Sequence, residues 1–246
     1  MNAQPHRTAV IIIGASSGIG EALAHELNRD GWRLGLLARR VERLEALREQ
    51  LAPETVVRGF DVSQPDAAAM LERVCDELGD VDLVVISAAT GDNNRDLNWE
   101  LDRDTVSVNV LGFIAAAQVA MRHFLKRGRG HLVGISSVAA LRGSHAGAAY
   151  SASKAFQSVY LDGLRDLARH SGHPIVVTEV QPGFVDTAMM KPERPVPALV
   201  RRLLVASPAK AARQILRAVR KRKKHAYITR RYAAIAFILK RLPRPG

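Results

Sequence analysis

Cysteine is nearly missing from this chain: its 246 residues include one, Cys75. A single thiol has no partner within the chain, which excludes an internal disulfide framework and a cysteine-built structural zinc site. A reducing cytoplasm is the expected setting. Aromatic residues are few as well, at 5%. The start, MNAQPHRTAV, lacks a long apolar core with a small-residue cleavage site, so no signal peptide is expected. No window is a continuous apolar run of roughly eighteen residues, so no helix is expected to span a bilayer. Internal repeats and low-complexity tracts are also lacking. Apolar content itself is ample: hydrophobic residues make up 47% of the chain, enough for one sizeable core and well above the level of a disordered sequence.

Acidic residues run short in one region only. From residue 191 onward, seventeen Lys/Arg face a single acid, Glu193, whereas residues 1–190 hold 19 basic and 23 acidic side chains. The formal net charge of +12 therefore belongs to the C-terminal quarter.

Hydrophobic patterning alternates between strand-length and helix-length segments. Strands are expected at Thr8–Ile13, Arg33–Ala38, Thr55–Phe60, Val81–Ser87, Gly130–Ser136, Pro174–Val180 and Ala226–Thr229. Helices are expected from Gly20 to about Asp30, at Val41–Leu51, from Ser63, from about Asp104 to Arg127, at Ala148–His170, Ala209–Lys223 and Ala233–Leu242. Val41, Leu44, Leu47 and Leu51 show the three- and four-residue offsets of one helical face. Such alternation predicts a single α/β domain over residues 1–246, a doubly wound, mostly parallel sheet of about seven strands with helices on both faces. In that architecture ligands bind outside the C-terminal strand ends. Phe184–Leu204, with three prolines, is expected to be a substrate lid, and residues 230–246 a basic and apolar extension.

Gly14-Ala15-Ser16-Ser17-Gly18-Ile19-Gly20 falls between the first strand and first helix. Glycines there allow a tight turn and close backbone approach, and the helix N-terminus offers N–H groups and a positive dipole end to a pyrophosphate. A turn of this kind can also be purely structural. At the end of the second strand, where an acid would hold the ribose 2′-hydroxyl of NAD, stand Arg39 and Arg40. A guanidinium pairs with a 2′-phosphate, so NADP(H) is favoured and NAD(H) remains open, with Arg39 the better placed of the two. The alternative is that both arginines are solvated residues opening the next helix.

Tyr150 and Lys154 are four residues apart near the start of a helix, so they share a face. An ammonium beside a phenol is expected to stabilise the phenolate and lower its pKa, making the tyrosine a usable proton donor and acceptor. Ser137 ends the preceding strand, where it could hydrogen-bond a substrate carbonyl.

Taken together these residues resemble the classical short-chain dehydrogenase/reductase family, over about Thr8 to Thr187. The glycine turn is similar to the family's cofactor motif, and Asp61-Val62 to the dipeptide that contacts adenine. Asn109 stands where the family keeps a helix asparagine. Ser137 and Tyr150-Ser-Ala-Ser-Lys154 match its catalytic residues, and Pro182-Gly183-Phe184-Val185-Asp186-Thr187 its nicotinamide-binding loop. The resemblance implies an oxidoreductase interconverting a carbonyl and an alcohol by hydride transfer. Tyr150 would supply the proton, Ser137 would hold the carbonyl oxygen, and Lys154 would also hold the nicotinamide ribose. Asn109 would help Lys154 exchange protons through water. Two positions depart from the pattern. Ile13 replaces a threonine, and Ile86-Ser87-Ala88-Ala89 replaces the family's N-N-A-G, although Ser87, Ala88 and Ala89 are small enough for the adenine ribose to approach.

An apolar small-molecule substrate is expected. Met189, Met190, Leu199, Val200, Leu203 and Leu204 could line the lid or be ordinary core contacts, and His145 could reach substrate or face solvent. A homodimer or homotetramer is expected. The basic run Arg217–Lys224 and the apolar stretch Ala233–Leu239 could touch an anionic membrane, making a membrane-associated lipid carbonyl reductase. They could equally cover a subunit or the protein's own sheet edge, or be a solvated helix. Nucleic acid is not an expected partner, since aromatics are not interleaved with the basic run. A dinucleotide-sensing regulator without turnover is the alternative from another functional class.

Overall fold

In the computed structural model, residues 8–190, 204–229 and 231–241 are described, with backbone alone at 239 and 240. The elements in order are β1 (Ala9–Ile13), α1 (Gly18–Arg29), β2 (Arg33–Ala38), α2 (Val41–Arg48), β3 (Val56–Gly59), α3 (Ala67–Leu78) and β4 (Val81–Ile86). Next come α4 (Trp99–Val106), a π-helical turn (Ser107–Gly112), α5 (Phe113–Arg127), β5 (Gly130–Ile135) and one tight helical turn (Val138–Leu141). Then follow α6 (Ala148–His170), β6 (Ile175–Pro182), α7 (Pro208–Arg220), β7 (His225–Ile228) and α8 (Arg231–Arg241).

All seven strands are parallel, in the order β3-β2-β1-β4-β5-β6-β7. The doubly wound sheet is therefore as expected. Successive side chains of a strand point to opposite faces, and β1 shows the consequence. Ala9, Ile11 and Ile13 enter one core with Phe113, Phe124 and Leu161. Val10 and Ile12 enter the other with Leu23, Leu44 and Ile215. Strands buried on both faces must be apolar, which is why β1 reads as an unbroken apolar run and β4 as one from Leu83 to Ile86.

Chain reversal between β1 and β4 puts a topological switch at their C-terminal ends. There Gly14 turns back, its N–H donating to the Leu37 carbonyl at 2.7 Å, and Ser87 donates to Ile13 at 2.8 Å.

Several boundaries differ from the sequence expectation. The helix expected from Ser63 begins at Ala67, because the Asp61 carboxylate accepts from Ser63 N and Oγ (3.0 and 2.7 Å) and turns the chain first. The helix expected from Asp104 begins at Trp99, where the Asn98 side chain caps it by accepting from Glu100 N. That continuous helix, Trp99–Arg127, is 29 residues long, with mean hydropathy 1.4 in its most apolar window. By length and composition it could cross a membrane, which corrects the expectation from unbroken apolar runs. Alanines raise its mean without forming such a run, and Phe113, Ala117, Met121 and Phe124 are buried in the core.

Of the expected lid, residues 191–203 lie outside the described residues, so Leu199, Val200 and Leu203 are not placed. Its two ends are: Val185 and Ala206 form a parallel bridge, with Asp186 N donating to Ala206 O at 2.9 Å.

Candidate active site

The glycine turn is built so that side chains would not fit. Gly14 and Gly18 have φ of 90° and 62°. A Cβ on Gly14 would lie 2.6 Å from Ala88 N, one on Gly20 2.2 Å from Gly14 O, and one on Gly18 2.9 Å from Thr187 Cγ2. The turn is thus pressed between the loop after β4 and the loop after β6, and α1 starts from it without a side-chain cap from Ser17. The first-turn N–H groups remain available to an anion, as a pyrophosphate cradle requires. Ile19 packs against the core beside the turn.

Arg40, rather than Arg39, closes over this turn. Its guanidinium donates to Ser16 Oγ at 3.0 Å and Ser17 Oγ at 2.8 Å. Arg39 is exposed and stands near Asp61. Burial works against ionising Asp61, but the Ser63 hydroxyl and amide and the Arg39 charge outweigh it and hold the carboxyl below its ordinary value. Arg39, the arginine expected to be better placed for a 2′-phosphate, thus stands exposed beside Asp61 while Arg40 meets the two serines of the turn. Val62 is buried and closes on Gly112, where a Cβ would lie 2.7 Å from Val62 O. Ser87, Ala88 and Ala89 are half-buried along the loop after β4.

Ser137 lies two residues beyond β5 and Tyr150 in the first turn of α6, so sheet edge and helix start bring them together. Ser137 Oγ accepts from Ala139 N at 3.1 Å, which leaves its hydroxyl hydrogen to be donated elsewhere. It hydrogen-bonds the Tyr150 side chain. The Tyr150 ring lies on Gly91, where a Cβ would sit 2.3 Å from the ring.

Lys154 is 1% exposed. Its Nζ donates to Ile135 O and to Gln157 Oε1, both at 3.0 Å, and lies 5.7 Å from the Tyr150 ring centroid. Burial lowers its pKa from 10.5 to about 7. The phenol itself is not lowered as the four-residue spacing predicts. Burial pushes Tyr150 up, and the Ser137 hydrogen bond offsets only part of this. The physical reason is direction: the ammonium is turned toward acceptors beneath the ring instead of toward the phenol oxygen.

Asn109 sits fully buried in the π-helical turn. Its side chain accepts from Thr90 N (2.9 Å) and donates to Thr90 O (2.7 Å) and Ser153 Oγ (3.0 Å). Ser153 in turn donates to Tyr150 O at 2.8 Å. Asn109 thus ties the loop that supports the tyrosine ring to the helix that carries it. Ser153 and Gln157 escape a sequence reading because a buried polar residue on a helix carries no motif of its own.

Pro182 closes β6, and Gly183 is held by Tyr232 of α8: a Cβ on Gly183 would lie 2.0 Å from the Tyr232 ring. The Tyr232 hydroxyl accepts from Phe184 N and donates to Leu204 O, each at 3.2 Å. Val185 is buried and Thr187 touches the glycine turn. His145 is exposed.

A phosphate-cradling turn at the switch point, with a serine, tyrosine and lysine beside it, defines a dinucleotide-binding oxidoreductase. The sequence profile of the family described as short chain dehydrogenase matches residues 8–197. The chain belongs to the short-chain dehydrogenase family. It is 42% identical over 190 residues to an uncharacterized oxidoreductase of Myxococcus xanthus, covering 75% of this chain and 74% of that one. It is 33% identical over 192 residues to one of Mycobacterium tuberculosis, covering 74% and 75%. Among solved structures it resembles an alcohol dehydrogenase from the archaeon Thermococcus sibiricus complexed with 5-hydroxy-NADP. That likeness has TM-score 0.77 and 26% identity, over 90% of this chain and 96% of that one. An actinorhodin polyketide ketoreductase with NADPH is similar at TM-score 0.78 and 26% identity, over 92% and 97%.

Proposed function

We propose that this protein is an NADP(H)-dependent oxidoreductase that interconverts a carbonyl and an alcohol, with Tyr150 as its acid and base. The observation that carries the reading is the convergence of Ser137 and Tyr150 above a fully buried Lys154, with Asn109 beneath. The cradle around Gly14, Gly18 and Gly20 and the uncapped start of α1 fit a dinucleotide pyrophosphate. Asp61 and Val62 flank the adenine side, Ser87, Ala88 and Ala89 its ribose, and Pro182, Gly183, Val185 and Thr187 the nicotinamide side. Arg40 on Ser16 and Ser17, with Arg39 beside it, supports a 2′-phosphate, and two similar structures hold NADP-type cofactors. When bound, the cofactor supplies or accepts the hydride.

In the reducing direction the Ser137 hydroxyl donates to the substrate oxygen and Tyr150 transfers its proton there. Lys154 lies beneath the phenol ring, where in its protonated form it would favour the phenolate left behind. Between turnovers Tyr150 is reprotonated. The proposed substrate is an apolar carbonyl compound admitted past Phe184, Met189, Met190 and Leu204. Phe184 and Met189 are exposed there.

A homo-oligomer is also proposed. Trp99, Val106 and Leu111 are exposed, as are Val159 and Leu167 of α6. The tail has a nearer role than membrane contact: α8 packs on β7 and on the turn Val138–Leu141, burying Tyr232 and Ala236. It covers the protein's own sheet edge, and among the described residues there Phe237 and Ile238 are the large exposed apolar ones.

A panel of carbonyl compounds assayed with NADPH tests the activity, with Tyr150→Phe as the control. The variant is expected to lose at least about a hundredfold in kcat while still binding NADPH. Unchanged turnover in Tyr150→Phe removes the acid/base role.

A further inference from the structure

Gln157 follows Lys154 by three residues on α6 and is fully buried. Its Oε1 accepts from Lys154 Nζ at 3.0 Å, and its Nε2 donates to the main-chain carbonyl of Asn109 at 2.8 Å. The orientation of this amide is dictated by its neighbours. An ammonium only donates and a carbonyl only accepts, so one orientation satisfies both and the flipped one satisfies neither. The Asn109 carbonyl lies in the π-helical turn, where the regular ladder is interrupted and a main-chain oxygen can turn to a side chain.

We propose that Gln157 is a positioning residue for the proton chemistry: its amide fixes the direction of Lys154 Nζ and fastens it to the Asn109 turn. The inference rests on the acid/base reading above and deepens it. A side-chain amide between ammonium and carbonyl holds the lysine but carries no proton from one to the other without changing its own bonding. The Lys154–Asn109 link through Gln157 is therefore a brace.

Among the described residues no charged side chain offsets the burial of Lys154, which leaves its hydrogen bonds to hold the ammonium. The Tyr150 phenol faces it from α6, the Ile135 carbonyl from β5, and the Asn109 carbonyl through Gln157 from the π-helical turn. Glu179 on β6 meets it only indirectly, through the Ser158 hydroxyl, which also bonds the Lys154 main-chain oxygen. Removing the Gln157 acceptor should thus favour neutral Lys154, and replacing it with a carboxylate should favour the ammonium.

The test is an NMR titration of isotope-labelled lysine in the full chain, with the Lys154 signal assigned by its loss in Lys154→Met. Gln157→Met, of similar volume but without the amide, is expected to move the Lys154 titration down by about one pH unit. Gln157→Glu is expected to move it up. The pH limb of carbonyl reduction with NADPH should follow in the same directions. Opposite shifts are something a packing role alone does not produce, and Gln157→Glu still gives the sign if the methionine variant does not fold. Titrations of both variants that coincide with wild type overturn the proposal. Tyr150→Phe keeps the two readings apart: its retained activity sinks the acid/base reading whatever Gln157 does. Its lost activity, with an unmoved Lys154 titration, sinks only the role of Gln157.

Discussion

Lys154 and Arg40 show how single side chains acquire roles from their surroundings. Lys154 in the unfolded chain keeps its proton up to about its ordinary 10.5, whereas in the folded protein it gives it up near 7. Between these values the unfolded state binds more protons, so stability should rise with pH across that window and the burial penalty should be fully present below it. Urea denaturation of wild type and Lys154→Met from neutral to alkaline pH checks this. The wild type's extra rise should vanish in the variant; parallel curves would show that the lysine is solvated. At the glycine turn, Arg40→Ala should reduce NADPH affinity at least about tenfold and NADH affinity far less, since a bidentate charge contact to a 2′-phosphate is lost. Arg39→Ala should have the smaller effect. Fluorescence titration with both cofactors measures it, and equal losses for NADPH and NADH in Arg40→Ala would place the arginine elsewhere than at the 2′-phosphate.

At the scale of elements, α8 reaches the loop after β6 through Tyr232. Tyr232 packs its ring on Gly183 and bonds the backbone at Phe184 and Leu204, one at each end of the segment expected to form the lid. Gly183→Ala must therefore displace an aromatic ring, an overpacking that costs about 1–3 kcal/mol. Tyr232→Ala removes the ring and its hydrogen bonds at a cost of about 3 kcal/mol or more. The two changes should be coupled: in the double variant the new methyl has room, so the combined loss should fall short of the sum by about 1 kcal/mol or more. Simple additivity in chemical denaturation would mean the loop after β6 does not lean on α8. A truncation that ends before Arg231 is then no clean test of a tail anchor, because it also removes this clasp.

For the whole molecule, the outer side of α4 and α6 carries exposed apolar residues away from the site. Phe156, Val159, Tyr160, Gly163 and Leu164 line a shallow apolar hollow on α6, and α4 packs beside this helix with Trp99 exposed. A surface of this kind suits a second copy of the chain. Val159, 72% exposed, is the residue to alter because it supports nothing in the monomer core. Val159→Glu should leave stability of the protomer within about 0.5 kcal/mol while shifting sedimentation velocity toward a smaller species. A wild-type protein that already sediments as a monomer, or a variant with unchanged mass, would remove this face as an interface.

Much of this was legible along the chain because local pattern and global fold agree. Apolar runs in β1 and β4, alternating with helical patterns, fit a parallel sheet covered on both faces, and with the ordered motifs around the glycine turn they let the sequence alone determine the fold class and the family. It also picked out Ser137, Tyr150 and Lys154, since their spacing is set by a strand end and one helical turn. Direction was decided in three dimensions. Which of two adjacent arginines closes over Ser16 and Ser17, whether an ammonium faces a phenol or an amide, and what presses on Gly183 all depend on segments distant in sequence. Adjacency along a chain says which residues are near a site; only packing says where their donors and acceptors point. Gln157 has no motif to announce it for the same reason. Its role exists because the fold brings the π-helical turn against α6, leaving a buried cation and a buried carbonyl that one amide satisfies together.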